Sequence, residues 1–335
     1  PFNLPLQFVR SVVFFVFPGH GQTLTRVPNV LFGGLTTLSL AWLLYTWHGK
    51  RSALFGTALF ATSAWVLHVS RLASFDVLYL WVMSMLLLIQ VVLPRYSRQV
   101  YVFYGSILML GMLLYVPGMV WLILTSVYWQ RKALLDGWQY FAQPWQHLLS
   151  VLAAALWSPL LLINLLRPGN FRAWLGLPAH FTGVMHLLKG FFAVFVHLFV
   201  RGPQYSQLWL GRAALLDVFT LTGCILGIYF YVQHRQAVRS RFLASFFLIG
   251  VLLVGLGGPV SLSLLVPLLY IFATTGITYL LRDWLRVFPI NPLARSLGIG
   301  LVSLAVVLAC AYNIRAYFVA WPHAEATQAI FRYHR

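Results

Sequence analysis

The stretch "HVSRLASFDVLYLW", residues 68–81, sets an arginine, Arg71, and an aspartate, Asp76, between two apolar runs. Only five of the 335 residues are acidic, so an acid here needs a reason. On each side the apolar residues continue for about 20 positions, which at 1.5 Å per residue is the length of a membrane-crossing helix. The stretch is therefore predicted to be a short connection between two spans, with the rest of the chain built around such spans.

Composition agrees with that reading. Hydrophobic residues make up 61% of the chain, charged residues 8%, and the mean hydropathy is +0.83, far from the values of water-soluble globular proteins. The expectation is an all-α, polytopic bundle of transmembrane helices. A net charge of +18 would suit nucleic acid, but the basic residues fall in short clusters between apolar runs. That pattern marks cytoplasmic loops and contact with anionic lipid, and no nucleic-acid partner is expected. Cys224 and Cys310 each lie inside an apolar run and read as packing residues. The chain begins "PFNLPLQF", without Met, basic leader or signal-type core, and so reads as a fragment or a processed product.

Span length and charged breaks divide the chain into ten apolar segments. The first runs from about Leu24 to Trp47, ending at "HGKR"; the second is Ser52 to Ser70, and the third Asp76 to Leu93. A hairpin of two shortened helices follows within residues 100–132, broken at Val116, Pro117 and Gly118. The remaining segments are Gln146 to Leu166, Ala213 to Val232, Phe242 to Leu256, Pro259 to Leu281 and Ser296 to Ile314. Alternation puts "HGKR", "RYSR", "QRK", "HRQAVRSR" and "RDWLRVFPINPLAR" on one side, which the positive-inside rule makes cytoplasmic. The whole of residues 1–335 then forms one integral membrane domain, with 167–212 as its extracytoplasmic or interfacial segment. Within that segment "VMHLLKGFFAVFVHLFVRG" reads as an interfacial or re-entrant helix on the outer leaflet.

In this topology "SRLASFD" is an outer-face loop. His68 and Arg71 lie one helical turn apart on a common face; Ser74 can cap the next helix, and Asp76 falls in its first turn, facing the positive end of the helix dipole. Asp76 then has two readings, a helix-start residue paired with Arg71 or a functional carboxylate at the membrane boundary. Lys189, Arg201 and Arg212 could meet a lipid phosphate, against the ordinary reading of cations that snorkel to headgroups. His180 and His186 lack an i, i+4 pair or a supporting carboxylate and read as interfacial histidines before metal ligands. Asp217, five residues after Arg212, reads first as a local ion pair; His20 lies in a glycine-flanked turn, and Glu325 in an aromatic, basic tail suited to an interface belt.

Residues 24–80, "LTRVPNVLFGGLTTLSLAWLLYTWHGKRSALFGTALFATSAWVLHVSRLASFDVLYLWV" without its final residues, carry a resemblance. The order of an arginine at the outer start of a span ("TRVPNVLFG"), a small basic turn ("HGKRSALFG") and an S-R-x-x-x-x-D type loop resembles the early helices of GT-C glycosyltransferases. The branch is that of protein O-mannosyltransferases and lipid A aminoarabinose transferases. "GMLLYVPGMVW" resembles the paired short helices of this family, without the basic residue many members carry near the turn, and "LLVPLLYIFATTGITYLL" resembles a late span. The resemblance implies transfer of a sugar, a hexose or pentose, from a polyprenyl-phosphate donor at the outer leaflet to a protein, lipid or glycan acceptor. The setting implied is the extracytoplasmic side of a plasma or bacterial inner membrane, in cell-envelope assembly.

It also implies roles. Asp76 would match the family's second acidic position, organising the acceptor or a divalent metal, Mg or Mn; Arg71 would be its partner or a phosphate contact. Arg26 would be a second outer cation, with His68 and Lys189 as further donor-binding candidates. The family's principal carboxylate sits in the loop after the first span, which would precede Pro1, so about eleven spans are expected in the intact protein and ten here. A polytopic transporter or a lipid-linked glycan flippase is the alternative; no mid-span acid and no internal repeat speak for transport.

Overall fold

In the computed structural model, the described residues are 2–17, 21–141, 144–180, 183–203, 208, 210, 214–325, 327 and 328, and they are helical with no strand. The helices are α1 (Leu4–Val16), α2 (Gln22–His48), α3 (Lys50–Thr62), α4 (Ala64–Arg71), α5 (Asp76–Tyr96), α6 (Val100–Leu113) and α7 (Met119–Tyr140). They continue as α8 (Pro144–Leu165), α9 (Asn170–Trp174), α10 (Val184–Phe199), α11 (Val218–Gln233), α12 (Val238–Gly255), α13 (Val266–Val287) and α14 (Pro292–Arg315). Among the described residues, five helical stretches are long and apolar enough to cross a membrane: 23–48, 76–96, 238–255, 262–287 and 292–323. A sixth arises if α3 and α4, bent by 56° at Ser63, make one broken span.

The core is built on α5 and α13, the most deeply enclosed of these stretches, whereas 292–323 is only 22% buried. Leu297, Leu301, Leu304, Val307 and Leu308 on α14 all point outward. An apolar stripe of that length is costly in water and neutral in lipid, in line with a membrane-embedded protein. α13 lies directly against α11: a side chain on Gly227 would meet the carbonyl oxygen of Phe272, and one on Gly276 the carbonyl oxygen of Gly223. Small residues let two backbones touch where no hydrophobic drive exists between helices in lipid.

Helix ends gather into two groups. At one end, here the Asp76 end, Asn29 Nδ2 donates to the Ser74 carbonyl at 2.6 Å, Tyr79 Oη to the Pro259 carbonyl at 2.8 Å, and Trp65 Nε1 to Ser263 Oγ at 3.1 Å. At the other, the His48 end, Arg239 and Thr275 both meet His48 Nε2, at 2.8 and 3.1 Å. Lys50 and Arg95 line one crevice there, and Arg241 sits over the Trp129 ring. Basic clusters that are far apart in sequence thus share one end of the bundle.

Several local expectations are revised. Residues 4–16 form a helix that was not foreseen; Pro5 occupies its first turn, and Leu6 and Val13 are buried at helical spacing. The hairpin does break where Gly118 adopts φ +79°, but only α6 is short: α7 runs 22 residues straight through "QRK". Nothing in that stretch stops a helix, and Gln130 anchors it by donating to Gln90 Oε1 at 2.9 Å. Ser74 does not cap α5. The cap position is Phe75, without a side-chain bond, because the Ser74 carbonyl is held by Asn29 and its hydroxyl is buried without a partner.

Candidate functional site

Three of the residues singled out from the sequence converge at the Asp76 end. α4 ends with His68 and Arg71 on one face, and that face meets the C-terminal continuation of α14. There the helix widens into a π turn over Ala316–Ala320 before Trp321. A π turn adds a residue to the turn and re-aims the side chains after it, a distortion that recurs at functional positions. The result is a stacked pair: the rings of Tyr317 and Trp321 lie 5.4 Å apart and 12° from parallel.

His68, 2% exposed, places its imidazole edge-on to both rings, at 6.0 Å from Tyr317 and 5.0 Å from Trp321. The Arg71 guanidinium is 5.8 Å from the centroid of Tyr317 and 5.3 Å from that of Phe318. Arg26, in the first turns of α2, is close enough for its charge to act on the same Tyr317 hydroxyl. Arg71 is nonetheless exposed, so this cationic group remains open to a ligand. One donor of Arg71 reaches the Tyr317 hydroxyl; a guanidinium carries five N–H donors, so others remain for an incoming phosphate.

Tyr317 and Trp321 also line a cavity of about 690 Å³. Its wall is mostly apolar, from Ala64, Trp65, Leu215, Phe219 and Leu308, and its polar marks are Asp217 and Asn313. Asp217 is fully engaged: Oδ1 accepts from the Thr220 amide at 2.9 Å, and Oδ2 from Thr220 Oγ1 at 2.7 Å and Asn313 Nδ2 at 3.0 Å. It caps α11 and ties that helix to α14. Its expected partner Arg212 lies outside the described residues, as does His20.

Asp76 stands apart from this group. It is half-buried in the first turn of α5 and is not among the residues lining the cavity. The expected pairing with Arg71 is absent: among the described residues the two form no ion pair, because Arg71 is held by the rings of Tyr317 and Phe318. Lys189 is exposed on α10, and His180 is exposed in the preceding loop; neither joins the Tyr317 group. Among the described residues no three of His, Cys, Asp and Glu come together. Asp76 supplies one carboxylate, where Mg or Mn takes several oxygen ligands.

The members that sequence reasoning missed are Tyr317 and Trp321. Their i, i+4 aromatic spacing was visible, but in a membrane protein such residues also form interface belts, and nothing in the pattern ties them to His68. No protein-family model matches the chain, and no curated protein matches it.

Proposed function

We propose that the chain is the membrane domain of a GT-C-type glycosyltransferase that takes a sugar from a polyprenyl-phosphate donor and passes it to an extracytoplasmic acceptor. This gives the Asp76 end an outer position and makes the bundle of about ten spans a scaffold for that face. The observation that carries the reading is the gathering of Arg71, Arg26 and His68 around Tyr317, a residue that itself lines an apolar cavity. A polyprenyl phosphate has the matching form, a long apolar chain joined to an anionic head.

In the reaction the acceptor's nucleophilic oxygen bonds to the anomeric carbon, and its proton ends on the departing phosphate. The bond from that carbon to the phosphate oxygen breaks, and polyprenyl phosphate leaves with the electron pair. Charge grows on the phosphate, and Arg71 and Arg26 stabilise it. His68, packed edge-on to two rings, holds the aromatic platform in place. Asp76, in the first turn of α5, orients the acceptor.

Labelling with a photoreactive polyprenyl phosphate in proteoliposomes tests the reading. Arg71→Gln is expected to lower labelling at least several-fold, and Asp76→Asn to leave labelling intact while abolishing sugar transfer. Equal labelling of the parent protein and the Arg71 variant would remove the donor from this site.

A further inference from the structure

At the His48 end, α11 and α12 are joined by "HRQAVRSR", residues 234–241, which holds three arginines and no acid. Between these two helices lies a notch of about 380 Å³. Its floor is apolar, formed by side chains including Ile228, Leu243, Phe247 and Phe272, and Arg235, Ser240 and Arg241 stand on its wall. Both arginines are exposed. The notch also receives the start of an 18-residue helix. The residue before α12 is Ala237, which offers no side-chain cap, so the first-turn amides keep their donors for another acceptor.

Just behind the notch the cations are already committed. Arg239 donates to His48 and stacks on Trp47 at 3.8 Å, while Tyr231 on the notch wall bonds Thr275 at 3.0 Å. Asp283, the acid on the neighbouring α13, is engaged with Tyr279. Nothing among these groups neutralises Arg235 and Arg241. The surface around the notch is apolar, with Val232, Val238 and Leu248 each more than half exposed, so the opening faces lipid tails along its flank.

We propose that this notch binds the headgroup of an anionic phospholipid from the leaflet at the His48 end. The phosphate meets Arg235, Arg241 and the first-turn amides of α12, and an acyl chain lies on Phe247 and Phe272. An apolar floor continuous with a lipid-facing helix surface selects a lipid over a soluble phosphate, and two exposed cations without a carboxylate partner among the described residues, one of them also over the Trp129 ring, select an anionic headgroup over a zwitterionic one.

Native mass spectrometry of the whole chain, released from micelles holding equal phosphatidylglycerol and phosphatidylcholine, reads this preference. The parent protein should retain phosphatidylglycerol over phosphatidylcholine, and R235Q and R241Q should each cut that excess roughly fivefold. Both side chains are exposed, so the variants keep the fold; an unchanged thermal midpoint in detergent checks it. Arg98→Gln, another exposed arginine elsewhere, should leave the preference alone. Equal retention of the two lipids by the parent protein would overturn the proposal, as would an equal loss in the Arg98 variant, which marks a diffuse field. Displacement of the lipid by 10 mM inorganic phosphate, a roughly saturating level for a soluble-phosphate site, would also overturn it.

Discussion

The two ends of the bundle both set arginine against aromatic rings, and they do so differently. At the His48 end Arg239 lies 3.8 Å from the Trp47 centroid and donates to His48, which is joined through Thr275 to Tyr231 by bonds of 3.1 and 3.0 Å. At the Asp76 end Arg71 keeps 5.3 to 5.8 Å from its rings, bonds the Tyr317 hydroxyl and is exposed, and Tyr317 in turn lines a cavity. A half-buried cation tied to a ring, a histidine and a tyrosine stabilises the fold; an exposed cation that bonds a single hydroxyl retains donors for a ligand. The same residue types thus serve assembly at one end and recognition at the other.

That contrast can be broken by substitution. The largest effect on stability is expected from Arg239→Ala, which removes a close cation–π contact and one of the two groups that meet His48 Nε2. The loss should be about 2–3 kcal/mol, read from the unfolding midpoint in detergent. Thr275→Val interrupts the link between Tyr231 and His48 and should cost about 1 kcal/mol by the same measurement. Arg71→Gln comes last, within about 0.5 kcal/mol of the parent protein, although it is the variant expected to lose donor labelling. A stability loss at Arg71 as large as at Arg239 would erase the distinction between the ends.

Much of the helix layout was legible in the sequence. α2 begins and ends within two residues of the segment expected at 24–47, and α5 starts at Asp76 as expected, because long apolar runs and charged breaks are set by bilayer thickness. The second segment was not legible as two pieces: α3 and α4 bend at Ser63 through packing against α13 and the turn at Ser263. The site divides in the same way. His68 and Arg71 share a face because three residues make a helical turn, a fact of local geometry. That Arg71 turns to Tyr317 and away from Asp76 depends on a segment nearly 250 positions away.

The amino-acid sequence by itself determined an all-helical chain with long apolar helices suited to a membrane, among them α2 and α5. These follow from composition and period, which act over one or two turns. Only the tertiary structure decided that α14 ends in a π turn, that its aromatic pair receives His68 and Arg71, and that Asp217 serves as a cap joining α11 to α14. Those outcomes come from contacts between helices distant in the chain, where small residues, bends and turn geometry set which faces meet.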